Sequence, residues 1–148
     1  MEESQRSQIQ YPLDEPSKGA IRNAIKDILD IVDLTNYSNE STITGWASFT
    51  TKSIRYKKVG KTVFVYFHLD GPSNATSASF TLPYPNATGA TIPVPIVAED
   101  NSVFIAKALA QITADSSTIQ AYTDGTGAGW TAANTKIIIG QIFYETIV

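Results

Sequence analysis

The chain holds one histidine, His68, and no cysteine, so few groups are available for chemistry. Any Ser-His-Asp arrangement would have to use His68 as its base. That residue lies in the apolar run Lys61–Leu69, two positions from Tyr66 on the same face of an expected strand. This is the setting of a packed or hydrogen-bonded structural histidine, and no nucleophile-elbow pattern accompanies it. Without thiolates, a metal would have to rely on carboxylates and carbonyls. Glu99-Asp100-Asn101 and Asp124-Gly125 have the residue types of a weak calcium site, although turns and solvated loops use the same ones. Asp124-Gly-Thr-Gly-Ala-Gly129 has the glycines of a phosphate loop but lacks its lysine, and Trp130-Thr-Ala-Ala-Asn134 leads into a strand, not a helix. Glycoside hydrolysis needs two carboxylates roughly 5–10 Å apart in a cleft. The seven acids after residue 34 are scattered over turns, apart from Glu99 and Asp100. These residues point to no catalytic group, no cofactor and no metal.

Charge is distributed unevenly. Residues 1–34 carry seven acids and four bases, which accounts for the whole net charge of −3. The remaining residues carry seven of each, and five of those seven bases fall together: Lys52, Arg55, Lys57, Lys58 and Lys61. One reading is a solvated hairpin whose charges keep an edge from pairing with another chain. The other is a contact to an anionic glycan or to an acidic patch on a partner protein. The mild net charge argues against bulk nucleic-acid binding, and no apolar run is long enough for membrane insertion. The N-terminal residues lack the basic-then-apolar order of a signal peptide.

Three segments must carry these groups. Residues 1–16 read as an extended arm, with few apolar groups and with Pro12 and Pro16 against a helix. Residues 17–42 read as a helix and linker. Ser17 can cap, and Ile21, Ala24, Ile25, Ile28, Leu29, Ile31 and Val32 recur at three- and four-residue spacing before the polar run 35–41. Such a stripe fits either an amphipathic helix packed on its own domain or a short trimerisation stalk. Isoleucine at both a and d positions favours three strands, with Ile21, Ile25, Ile28, Ile31 and Val32 at the seam. Residues 43–148 then switch to a period of two. Strands are expected near 44–50, 53–59, 61–69, 77–82, 90–98, 102–112, 117–122 and 135–146, with 53–59 and 61–69 joined as a hairpin. In 61–69 both faces are apolar or aromatic, which predicts a central strand. The whole is expected to be mainly β, an antiparallel β-sandwich of jelly-roll type behind a short helix. Four Asn-X-Ser/Thr triplets, at Asn36, Asn39, Asn74 and Asn86, mark expected exposed loops.

Trp46, Tyr56-Lys57-Lys58-Val59-Gly60-Lys61 running into Val63–Phe67, Thr81-Leu82-Pro83-Tyr84, Trp130 and a closing strand ending in Tyr144 follow one another over residues 44–146. This order resembles the C-terminal β-sandwich head domains of bacteriophage tail fibres, receptor-binding proteins and virion spikes. The resemblance implies a homotrimer on the virion, on tail or capsid, attached to other virion proteins through residues 1–16. It also implies a head that contacts a host cell-surface glycan or protein, or one that is purely architectural. Saccharide sites on such heads stack a sugar on an exposed ring beside Asp, Asn and Gly-rich loops. Trp130 next to Asp124 is then the leading candidate, followed by Tyr122, Tyr84 and Asn86. The alternative for Trp130 is a core or inter-subunit anchor.

Overall fold

The computed structural model describes residues 19–25 and 33–147, and the chain divides into two compact units, Met1–Asp33 and Leu34–Val148. In the first unit residues 19–25 are helical, with Ile21 and Ile25 exposed. The arm 1–16 and the stripe positions Ile28, Ile31 and Val32 lie outside the described residues.

The second unit is a sandwich of two antiparallel sheets. Its strands are β1 (Thr35–Asn36), β2 (Ile43–Thr44), β3 (Thr51–Val59), β4 (Thr62–Pro72), β5 (Ser79–Thr81), β6 (Ile92–Pro95), β7 (Val97–Asp100), β8 (Val103–Ile105), β9 (Leu109–Ile112), β10 (Thr118–Tyr122) and β11 (Thr135–Glu145). One sheet runs β1-β3-β4-β11-β7-β8 and the other β2-β5-β10-β9-β6. The chain enters them by turns: β3 and β4 in the first, β5 and β6 in the second, β7 and β8 in the first, β9 and β10 in the second, and β11 back in the first.

The hairpin expected at Gly60 forms, with Val59 opposite Thr62 and Gly60 at φ 59. Period-two alternation puts Val63, Val65, Phe67 and Leu69 of β4 into the core against Phe80, Ile112 and Ile119 of the other sheet. β4 is interior, between β3 and β11, but only this one face is buried. Its aromatic second face looks outward.

Four expectations needed correction. Residues 44–50 are not a strand: pairing stops at Thr44, and Trp46 makes only an isolated bridge to Ser73. The run 90–98 is two strands in different sheets, because Pro93 and Pro95 lack the N–H a continuing ladder needs, so β6 is an edge strand and the chain crosses over at Ile96. The run 102–112 is also two strands. Asn101 and Ser102, at φ 53 and 61, form the two-residue turn of the β7–β8 hairpin, and residues 106–107 turn the chain to the other sheet. Finally, the polar run 35–41 is not a linker. β1 pairs with β3, and buried Ser38 donates its hydroxyl to Asn36 Oδ1 and accepts the Ile54 N–H, while Ser41 is tied to Thr81.

Candidate functional site

Trp130 does not stand open beside its glycine loop. It is 3% exposed, and its indole N–H donates to the Ala121 carbonyl at 2.7 Å. The ring is one wall of a cage around Lys136, a residue with no exposed surface. The Lys136 ammonium donates to the carbonyls of Gly45 (3.0 Å), Ala75 (2.8 Å) and Ser77 (2.8 Å) and lies 5.2 Å from the Trp46 ring and 5.6 Å from that of Trp130. Three carbonyls satisfy its three donors, and two ring faces add cation–π attraction. Burial nevertheless pulls its pKa down to about 8, with nearby Asp100 acting in the opposite sense. The cage is sealed and presents no reacting group to a ligand. It is an anchor for three loops.

Asn86 is likewise buried. Its side-chain N–H groups donate to the carbonyls of Ala90, Ile112 and Thr113, while its Oδ1 accepts from the Thr88 N–H and hydroxyl. A fully engaged amide pins the β5–β6 connection and leaves nothing for a ligand, so this triplet does not mark an exposed loop. Tyr84 is half-buried, with its carbonyl accepting the Tyr144 hydroxyl and its ring against Tyr56 and under Lys58. Burial raises the pKa values of Tyr144 and Tyr56, each with a smaller push from Tyr84. Asp124 caps its own loop: Oδ1 accepts from the Thr126 N–H and hydroxyl and from the Ala128 N–H, which together lower its pKa. Tyr122 is the one ring of the proposed set that lies on a sheet surface next to this loop.

The two outer faces of the sandwich differ in chemistry. On the five-stranded sheet, the pairings align Thr44, Ser79, Gln120, Gln111 and Pro93 in one row across all five strands, with Tyr122 and Leu109 in a neighbouring row. None of the five strands contains a charged residue. The outer face of the six-stranded sheet carries Phe64 (45% exposed), Phe143 (66%), Val97 (55%) and Phe104 (68%). Phe64 and Phe143 sit opposite each other on β4 and β11 with ring centroids 6.1 Å apart. Beyond Ile139, no named strand continues the ladder on the β7 side of β11. A groove of about 620 Å³ lies here, lined by Leu34, Phe64, Tyr66, Ile92, Val94 and Phe143 among others.

The five basic residues are not one patch. Strand register sends Arg55 and Lys57 to the outer face opposite Tyr66 and Phe64, and Lys52 and Lys58 to the other side opposite Leu69 and Val63. Arg55 lies 4.8 Å from the Tyr66 ring, Lys52 5.6 Å from Phe49 and Lys58 5.5 Å from Tyr84. Lys61 is exposed in the turn. His68 is half-buried on the outer face, between Ser53 and Ile139. Among the described residues, no three His, Asp or Glu side chains come together in a way that could hold a metal, and no helix is long and apolar enough to cross a membrane.

Sequence reasoning missed Lys136, the amide row and the exposed phenylalanines. On β11, the apolar residues Ile137, Ile139 and Phe143 at odd positions, the face away from the core, carried the signal for the phenylalanine there, and the absence of charge from five strands carried it for the row. No protein-family profile and no curated protein matches the chain.

Proposed function

We propose that the chain is a non-enzymatic virion structural protein of a bacteriophage, a short trimeric fibre or spike with a jelly-roll-like head that contacts the host surface. The observation that carries the assembly half of this reading is the exposed apolar face of the six-stranded sheet. Four large apolar side chains, 45–68% exposed on one sheet face, exceed what an isolated domain needs and fit a surface that is covered in an assembly. The exposed Ile21 and Ile25 of the N-terminal helix support a second seam. The resemblance of Trp46, Val59-Gly60-Lys61, Leu82-Pro83 and Trp130 to phage heads supplies the virion half.

Light scattering on the purified chain tests the assembly. The expected mass is near three times the 16.0 kDa of one chain, and a mass of one chain at micromolar concentration overturns the trimer. Phe143→Lys is expected to yield a lighter species with unchanged circular dichroism, since an exposed substitution shifts monomer stability by only about 0.5 kcal/mol. Mass spectrometry of purified particles of the encoding phage tests the location: absence of the chain from particles removes the virion reading. A purely architectural role is the second reading, favoured if particles carry the chain but host attachment survives its deletion.

A further inference from the structure

We infer that the outer face of the five-stranded sheet is a binding site for an uncharged saccharide, centred on Tyr122 and the paired amides Gln111 and Gln120. This rests on the reading of the chain as a virion head and assigns the host-facing ligand to a surface on the opposite sheet from the apolar face.

Two clefts, about 230 and 320 Å³ in volume, both have Tyr122 and Gly127 in their walls, so they meet along one side chain. The first is lined further by Ser79 and Gln120, the second by Gln111 and Thr126. The loop wall is built of glycines. A Cβ at Gly127 would meet nothing within 4 Å, so the backbone there borders open space, and its φ of 83 suits glycine. Asp124 holds this loop through three hydrogen bonds, which gives the wall a fixed shape.

The lining chemistry decides the ligand class. Neither cleft is lined by a charged residue, and the five strands beneath contain none. An anionic ligand finds no cation to offset its desolvation, and a cationic one finds no carboxylate in the lining. What the trough offers is amide and hydroxyl groups, each able to donate and accept, which matches the paired hydroxyls of a sugar. The Tyr122 hydroxyl donates to Gln120 Oε1 at 2.6 Å, which leaves the Gln120 N–H groups free of that contact and fixes the plane of the amide. Gln120 and Gln111 are cross-strand partners, so two amides stand side by side at sheet spacing. The Tyr122 ring is the one aromatic surface in the trough, a platform for a sugar's apolar face. Two clefts meeting at one ring fit two adjacent sugar residues of an oligosaccharide.

The test uses the full chain in its native assembly state, on an array of neutral oligosaccharides of glucose, galactose, N-acetylglucosamine and rhamnose, with sialyllactose and a heparin hexasaccharide as charged probes. Binding to at least one neutral probe and to neither charged one is expected. Titration of the best neutral probe against Gln120→Ala should show about 3- to 10-fold weaker binding, and against Gln111→Ala a similar loss. Tyr122→Ala should weaken it by at least about 10-fold, and Tyr122→Phe, which keeps the ring and loses the hydroxyl, should fall between. Gln120 is exposed, so its variant keeps the fold even if Tyr122→Ala does not. Arg55→Glu, on the opposite sheet, should leave binding unchanged. No neutral binding, binding of the charged probes alone, or full affinity in the Gln120 and Gln111 variants each overturns the assignment. A trimer that binds no saccharide removes this site and leaves the assembly reading intact; a saccharide-binding monomer does the reverse.

Discussion

Trp46 and Lys136 hold each other from both ends: the Trp46 indole N–H donates to the Lys136 backbone carbonyl at 2.9 Å, and the Lys136 ammonium lies 5.2 Å from the Trp46 ring. The same ammonium takes three carbonyls from residues 45, 75 and 77, so one side chain ties the start of β11 to two loops far away in sequence. A buried cation is tolerated only when its donors are all met, and here they are.

Lys136→Met should therefore destabilise the sandwich. It keeps a similar volume but leaves three inward carbonyls without their donor, at a cost on the order of 3 kcal/mol. Urea unfolding followed by tryptophan fluorescence measures this directly, because both indoles line the cage. Unchanged stability would mean that water replaces the ammonium at no cost.

Lys136 also sets a pH dependence. Its folded pKa is about 8, below the ordinary lysine value of 10.5. Between those values the unfolded chain binds the proton that the folded chain has released, so stability rises with pH across that window and is flat below it for this group. Tyr144 and Tyr56 act in the opposite sense above about pH 10, where the unfolded phenols ionise first. The rise should thus be visible from pH 8 to 10 in wild type and absent in Lys136→Met. A wild-type curve as flat as that of the variant would show the ammonium holding its proton.

Gly45 should not accept a side chain. Its φ is 118, and an added Cβ would run into the Ser77 carbonyl, one of the three acceptors of Lys136. Gly45→Ala is expected to cost at least about 2 kcal/mol from strain and overpacking. Gly60→Ala is the control: its φ of 59 carries the usual left-handed penalty, about 1–2 kcal/mol, but nothing lies within 4 Å. Equal losses in the two variants would show that the cage yields easily.

Trp130→Ala should lower stability by about 3–5 kcal/mol, the range for a large core aromatic, in both the presence and absence of any ligand. Folded Trp130→Ala protein of wild-type stability would restore the ring as a surface group.

Asn86→Asp tests the pinned β5–β6 connection. A carboxylate there would face the carbonyls of Ala90, Ile112 and Thr113 with no proton to give, so thermal unfolding should shift down by several degrees at pH 7 and partly recover on acidification, when the group can protonate.

What the sequence by itself determined is local. The alternation Val63-Val65-Phe67-Leu69 chose the buried face of β4, because side chains of a strand alternate and only one face can meet the opposite sheet. Gly60 between two such runs chose the hairpin, because its backbone reaches φ 59 without penalty. The mainly β class and two-sheet architecture follow from the same rhythm, repeated between turns. What only the tertiary structure decided depends on partners distant in the chain. Lys136 reads in sequence as a surface cation opening a strand; it is buried because Gly45, Ala75 and Ser77, 59–91 positions away, converge on it. Trp130 reads in sequence as a platform or as an anchor, and its burial against Lys136 makes it an anchor. Gln111 and Gln120 are unremarkable polar residues of two strands until antiparallel register sets them side by side next to Tyr122. Periodicity fixes which way a side chain points, but only the pairing of strands and the stacking of sheets fix what it meets.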